Sequence, residues 1–430
     1  MRLLQKYKKM KQEKNKNSFL MSKKLGDNFS GKTIYLDHAA TTYVDLRVKK
    51  EMDKCYSETY GNPGSLHSIG RDAYELVENS REKIAKILNC RSDEIILTSG
   101  GTESINLAIK GIAFSKEKGH IITSKVEHPA VMETCKFLEK KGFSVTYLDV
   151  DKFGLVNPKE VEKAIKRDTI LISIMYANNE IGTIQPIKEI GRIARRNKII
   201  FHTDACQAAG PLDLDVNQLN VDLMTLNGSK VYGPKGVGIL YKSKEVKLEP
   251  LIHGGGQEFG LRSGTENVPG IVGMAKALEL AQVYKEKENT RLIKLRDYLI
   301  ISVLNKIEKS FLNGHPKKRL PNNVNISFLD VEGESVLLYL DQKGIEVSTG
   351  SACSSHKLEI SPVLSAIGLI HDAAHGSIRF TLGHKTTKKD IDYTVKELKE
   401  IIENLRKISP IKLEMKDIRD KSKESELEDH

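Results

Sequence analysis

The sequence predicts an α/β fold in which a mostly parallel sheet is covered by helices on both faces. Three observations predict it. From about residue 70, short apolar runs alternate with amphipathic segments. The runs are four to eight residues of nearly continuous apolar character, the pattern of strands buried on both faces. The 430 residues are long enough for two or three domains of about 150 residues each.

The elements follow in order. Ala73, Leu76, Val77, Ile84, Ile87 and Leu88 recur at helical spacing. Strand-like runs come next at Glu94 to Thr98, His120 to Ser124, Val145 to Asp149, Thr169 to Tyr176, Lys198 to Asp204 and Val221 to Asn227. From Gly273 to Ser310 the rhythm becomes long and helical with many charges, and an α+β-like region from about Pro321 to Ile408 reads as a smaller domain. Residues 412–430 mix both charge signs with few large apolar side chains, which predicts a solvated tail.

Composition narrows the function classes. The longest apolar stretches, such as Leu299 to Leu304, fall far short of the ~20 residues of a membrane span, so a soluble protein without membrane association is expected. The net charge of +11 sits mostly at the front, where residues 1–24 hold nine Lys/Arg against Glu13 alone and the remainder carries only +3. The body is therefore no polycation, and direct nucleic-acid binding is not expected of it. A salt-sensitive affinity lost with residues 1–24 is what binding by that arm would predict. The arm lacks the apolar core of a secretory signal and the Arg/Ser richness of a transit peptide. It reads as a disordered extension, with Met21 an alternative start. Cys55, Cys90, Cys135, Cys206 and Cys353 are odd in number, widely spaced and without a CxxC pair, so neither a disulfide framework nor a zinc site is expected. A reducing, cytoplasmic location follows, with organellar import through the extension left open.

Several residues carry chemistry on their own terms. The strand from Glu94 runs through Gly100 and Gly101 into a helix opening near Thr102, a turn whose backbone N–H groups can cradle an anion; an ordinary cap by Thr102 or Ser104 is the plainer reading. In Asn227-Gly-Ser-Lys, Lys230 follows a strand amid small residues, while Pro234 and Lys235 break a Walker A pattern. Asp204 and His128 lie at or just past strand ends, the edge where open α/β sheets bind ligands, although Asp204 also suits a helix N-cap and a loop histidine is more often structural than catalytic. Cys353 stands in Ser348-Thr-Gly-Ser-Ala-Cys-Ser-Ser, too small and polar for a core strand, which favours a reachable thiol. Arg379 alternates with apolar neighbours in a strand-like run, so its guanidinium is expected to point into a cleft, or else to make an edge-strand salt bridge.

The ordered set Tyr35-Leu-Asp-His-Ala-Ala-Thr-Thr, Gly61-Asn-Pro-Gly-Ser, Thr98-Ser-Gly-Gly-Thr-Glu-Ser, Asn178-Asn-Glu-Ile-Gly, Asp204-Ala-Cys-Gln, Lys230, Gly254-Gly-Gly-Gln-Glu, Arg262-Ser-Gly-Thr and Gly350-Ser-Ala-Cys resembles the cysteine desulfurase family over roughly residues 31–411. The resemblance is strongest to the iron–sulfur-cluster desulfurases with a long cysteine loop. It implies a fold-type I pyridoxal-phosphate enzyme of the class V aminotransferase group. Such an enzyme is a homodimer that converts L-cysteine to L-alanine and leaves sulfur on Cys353 as a persulfide. The implied domains are a basic extension (1–30), a large cofactor domain (43–285), a small domain (31–42 with 286–411) carrying the cysteine loop, and a charged tail (412–430).

By the same resemblance Lys230 forms the Schiff base, Asp204 pairs with the pyridinium nitrogen, and His128 stacks on the ring and moves protons. Asn179 and Gln207 bond near the phenolic oxygen. Gly101, Thr102 and Ser229 hold the phosphate, Thr265 reaches in from the other subunit, and Arg379 clamps the substrate carboxylate. Implied partners are an iron–sulfur scaffold and other sulfur acceptors, with iron–sulfur ligation by Cys353 only transient, through its persulfide. Two departures stand out: Asn227 and Ser229 occupy positions commonly serine and histidine, and Cys206 one often threonine. A selenocysteine lyase or other cysteine lyase on the same scaffold is the nearest alternative, and a non-catalytic docking protein of the sulfur network is an alternative of another class.

Overall fold

The structure, a computed structural model, describes residues 33–349, 360–410 and 412–419. The chain enters at β1 (Ile34–Tyr35) and builds a seven-stranded sheet from β2 (Ile95–Thr98), β3 (His120–Ser124), β4 (Ser144–Leu148), β5 (Thr169–Ser173), β6 (Ile200–Asp204), β7 (Leu223–Asn227) and β8 (Gly238–Lys242). The order is β2-β8-β7-β6-β5-β3-β4. The strands from β7 to β4 pair in parallel, and only β8 runs against its neighbours β7 and β2. Reversing twice across β8 restores β2 to the direction of the parallel strands. All the strand ends that precede site residues therefore open on one edge of the sheet.

The expected fold class holds, and the six expected strands correspond to β2 to β7 with shifts at their ends. Thr169 to Tyr176 shortens to Ser173, yet Ile174 and Tyr176 still donate backbone N–H groups to His202 and Asp204 of β6. The reversed strand β8 had no expectation attached to it. Its glycine-rich approach, Lys235-Gly-Val-Gly, masks a strand of five residues, the first four of them buried.

One face of the sheet is covered by the helix Gly101–Phe114, whose Ile105, Ala108, Ile109 and Ile112 are fully or almost fully buried. The long helix Val268–Lys306 carries the chain from the large sheet to a second, four-stranded antiparallel sheet. That sheet has the order β12-β13-β10-β9, from β9 (Ser310–Leu312), β10 (Asn323–Phe328), β12 (Ser348–Thr349) and β13 (Ser377–Thr381). The helix Lys388–Ile408 closes it, started by a reciprocal cap in which Asp390 accepts from the Thr387 N–H and Thr387 accepts from that of Asp390. β1 pairs with β11 (Ile345–Glu346), and the N–H of Thr381 donates to Leu36 at 2.6 Å, which fastens the start of the chain to β13.

Residues 412–419 of the expected solvated tail are described, none of them buried, and they touch the body at a few points. The Leu413 N–H donates to Asp330 at 2.6 Å, its carbonyl accepts from Lys309 at 2.8 Å, and Arg419 bridges to Leu369. Charged residues on the body supply the partners that hydropathy alone had not foreseen. Among the described residues no helix is long and apolar enough to cross a membrane.

A buried histidine links this core to pH. His202 on β6 is fully buried between Ser173 Oγ at 2.9 Å and Thr225 Oγ1 at 3.0 Å. Burial pushes its pKa down to about 4, with the Asp204 carboxylate opposing. Between the ordinary value near 6.5 and the folded value near 4, the unfolded chain binds a proton that the fold refuses. Stability present above pH ~6.5 is thus lost as pH falls toward 4, by on the order of 3 kcal/mol. Urea midpoints measured between about pH 7 and pH 5 should fall accordingly, and His202→Gln should flatten that slope.

Candidate active site

The site lies at the carboxyl edge of the large sheet, where each parallel strand delivers a polar side chain or a tight turn. After β2 the chain turns at Gly100, whose φ of 153° and ψ of 179° belong to glycine alone, and enters the helix at Gly101. Neither Thr102 nor Ser104 caps this helix. Gly100 takes the cap position, Ser104 is buried and bonded to Thr98 at 2.7 Å, and Thr102 stands exposed in the first turn. A Cβ at Gly101 would meet Cys206 Sγ at 2.9 Å and Asn227 Cβ at 3.6 Å. This glycine therefore lets the start of the helix pack directly against Cys206 and Asn227, and the free N–H groups of a helix's first turn suit an anion such as phosphate.

After β3, His128 begins the helix Pro129–Glu139, and its Nδ1 accepts from the Ala130 N–H at 3.1 Å. The neutral ring then carries its proton on Nε2. Burial lowers its pKa, Asp204 opposes that shift and Lys230 adds to it, so the imidazole is held neutral. Directly before it Glu127 is fully enclosed, accepting from Ser124 Oγ at 2.7 Å and the Met175 N–H at 2.9 Å. Burial and the nearby Asp204 push its pKa up to about 8.

After β6, the buried carboxylate of Asp204 accepts from the Cys206 N–H at 3.0 Å in a short local turn; it caps no helix. Gln207 follows and donates to the Ala39 carbonyl at 3.0 Å. After β7, Asn227 accepts from the Ser229 N–H at 3.3 Å, and Lys230 leaves the ensuing turn with its Nζ donating to the Ala40 carbonyl. Burial is the main reason its pKa lies below the ordinary lysine value. Arg379 pushes the same way, while Cys206, Asp204 and Asp37 oppose. A lysine so placed is readily deprotonated and nucleophilic.

The second sheet supplies Arg379, which reaches the site from β13 and is 3% exposed. Its Nη1 donates to the Asn179 carbonyl at 3.1 Å and its Nη2 to Asp37 Oδ1 at 2.8 Å. Its Nε is buried without an acceptor among the described residues. The expected inward guanidinium is what the structure contains, and its ion pair is interior, not at a sheet edge.

His128, Asn179, Asp204, Gln207, Ser229, Lys230, Gly101 and Arg379 thus converge on one sheet edge. Thr265 does not join them within the chain and is exposed. Cys353 lies outside the described residues. Among the described residues no group of three or more His, Cys, Asp or Glu is placed to hold a metal, and Cys55, Cys90, Cys135 and Cys206 are free thiols. Asp37, Ala39 and Ala40 had no role assigned from sequence, although they lie within the Tyr35–Thr42 run that carried the resemblance.

Residues 34–394 match the aminotransferase class-V family. A cysteine desulfurase IscS of Dictyoglomus turgidum is 57% identical over 385 residues, covering 89% of this chain and 98% of the relative. The chain belongs to the cysteine desulfurase family. Among solved structures this desulfurase superposes on a NifS-like protein with a TM-score of 0.82 at 43% identity, covering 87% of this chain and 100% of that one. It also superposes on SspA in complex with cysteine, with a TM-score of 0.72 at 40% identity, covering 81% and 99% respectively. The desulfurase is a pyridoxal-phosphate enzyme, and its residues fit that cofactor. A part-buried lysine, a buried aspartate and a helix start that only glycine lets approach Cys206 and Asn227 are the parts such a ligand needs.

Proposed function

We propose that the enzyme converts L-cysteine to L-alanine and takes the substrate sulfur onto Cys353 as a persulfide, for delivery to an iron–sulfur scaffold and other acceptors. The observation that carries this reading is the pairing of two unlike cations at one sheet edge. Lys230 is made nucleophilic by burial, and Arg379 is fixed by the protein with its Nε unfilled.

When bound, pyridoxal phosphate supplies an imine-forming carbonyl and an electron sink. Lys230 is the residue that holds it covalently, and once released its amine is free to take the substrate α-proton. Asp204, buried and already accepting from the Cys206 N–H, would accept the hydrogen bond of the ring nitrogen. His128, neutral and with its proton on Nε2, would lie against the ring and pass protons. Gly101, Thr102 and Ser229 hold the phosphate, with Asn227 orienting Ser229. Asn179 and Gln207 would bond near the phenolic oxygen, and Arg379 would take the substrate carboxylate.

The thiolate of Cys353 then forms an S–S bond with the substrate sulfur while the Cβ–S bond breaks. The electron pair of the broken bond passes to the three-carbon fragment, which takes up protons and leaves as L-alanine. No external oxidant is required.

The working unit is a homodimer in which Thr265 reaches the partner's phosphate site. Its exposure in the single chain supports this, as does the buried pair Arg81–Glu258, whose two 2.8 Å bonds anchor the segment leading to it. Four free cysteines fit a reducing, cytoplasmic setting. Incubation of the purified enzyme with L-cysteine, with alanine quantified and persulfide mapped by mass spectrometry, tests the reading. Alanine without persulfide at residue 353 would overturn it.

A further inference from the structure

We propose that Asp37 is a positioning residue for substrate recognition, its carboxylate turning the Arg379 guanidinium so that the donors left free receive the carboxylate of the amino-acid substrate. The inference rests on the reading that Arg379 binds that carboxylate.

The geometry begins with the short segment 37–40, which touches three site residues at once. Asp37 Oδ1 accepts from Arg379 at 2.8 Å, the Ala39 carbonyl from Gln207 at 3.0 Å, and the Ala40 carbonyl from Lys230. The segment has a defined shape of its own. The Ala40 N–H donates to the Asp37 carbonyl at 3.1 Å, and the Tyr35 hydroxyl lies 3.0 Å from that carbonyl and 2.9 Å from Thr41's. At its far end both the N–H and the hydroxyl of Thr42 donate to the Ser229 carbonyl, at 2.8 and 3.0 Å. The position of Asp37 is therefore tied to that of the cofactor lysine and not only to its own strand.

A guanidinium has five N–H donors in a rigid plane, so two fixed contacts define its orientation. Here Asp37 takes Nη2 and the Asn179 carbonyl takes Nη1, which leaves Nε buried and unfilled among the described residues. A buried donor without an acceptor is unfavourable, and a substrate carboxylate is the acceptor that satisfies it. Asp37 also acts against binding in one respect, because its negative charge lies near the arriving carboxylate. The two effects separate by substitution. Alanine removes the hold on Arg379, whereas asparagine keeps an oxygen acceptor in place and removes the opposing charge.

The test uses the holoenzyme and two sulfur-free ligands, L-alanine and L-alaninamide, the second lacking a carboxylate, with binding read from the cofactor's visible absorbance. Asp37→Ala should weaken L-alanine by about tenfold and raise KM for L-cysteine by a similar factor, with a smaller change in kcat. L-Alaninamide should bind as to the parent within about twofold, and Asp37→Asn should bring L-alanine back to within about threefold of it. Should Asp37→Ala fail to fold, Asp37→Ser is measured the same way, because its side chain is uncharged and shorter. Unchanged L-alanine binding in the alanine or serine variant overturns the proposal, as does an equal loss for L-alaninamide, the mark of a merely structural role. Arg379→Ala separates the two levels: if it leaves the preference for L-alanine over L-alaninamide intact, the clamp assignment itself is wrong.

Discussion

Lys230→Ala is expected to lower alanine formation from L-cysteine by about 10³-fold or more and to abolish the covalent attachment of the cofactor. The size of the effect follows from two losses at one atom. On the proposed reading, Lys230 Nζ would form the imine with the cofactor, and once released the same amine would be the base for the substrate α-proton. Burial lowers its pKa, with Arg379 contributing in the same direction, so the neutral amine is more accessible than on a surface lysine. The variant should fold, because among the described residues Lys230 donates only to the Ala40 carbonyl and the turn around it is held by bonds to the N–H and hydroxyl of Thr42. Absorbance spectra before and after desalting, alongside alanine assays, provide the check. Retention of an imine-type spectrum in the variant would show that another lysine carries the cofactor.

Cys353→Ser should reduce sulfur release by on the order of 10³-fold or more while leaving cofactor binding intact. A serine hydroxyl stays protonated at neutral pH and forms no stable bond to sulfur, so the Cβ–S bond has no acceptor. The alternative thiols are poorly placed to compensate. Cys206 is buried in the site with its pKa raised well above the ordinary value, first by burial and then by Asp204, and Cys135 is buried and pushed up to about 12. Tryptic mapping after incubation with L-cysteine should find persulfide at residue 353 of the parent and none in the variant. Wild-type turnover with persulfide on another cysteine would move the acceptor there.

Much of this was legible in the sequence because the deciding signals are local. Apolar runs of strand length interleaved with helical periodicity identify β2 to β7, since strands buried on both faces need continuous apolar character wherever they occur. Strand ends were less well placed. The backbone of Ile174 and Tyr176 goes on bonding to β6 beyond the regular ladder, and no change in residue type marks that boundary. The reversed strand β8 escaped because its glycine-rich approach, Lys235-Gly-Val-Gly, masks a short buried run. Helix caps were misassigned for a related reason: Gly100 takes the cap through a backbone conformation, whereas side-chain preference favours Thr102 or Ser104.

For the site, the sequence by itself determined which side chains follow which strands, and hence that Gly101, His128, Asn179, Asp204, Gln207 and Lys230 share one sheet edge. Only the tertiary structure decided how that edge is completed. Arg379 and Asp37 are 342 residues apart, and they meet because the first described residues are fastened onto β13 through Leu36 and Thr381. Whether Arg379 points into the site, which of its donors stay free, and that Ala39 and Ala40 hold Gln207 and Lys230 depend on that long-range register. Periodicity specifies the face a residue occupies within its own element. The partner it meets is set by how two distant elements dock, and that is a property of the packed core as a whole.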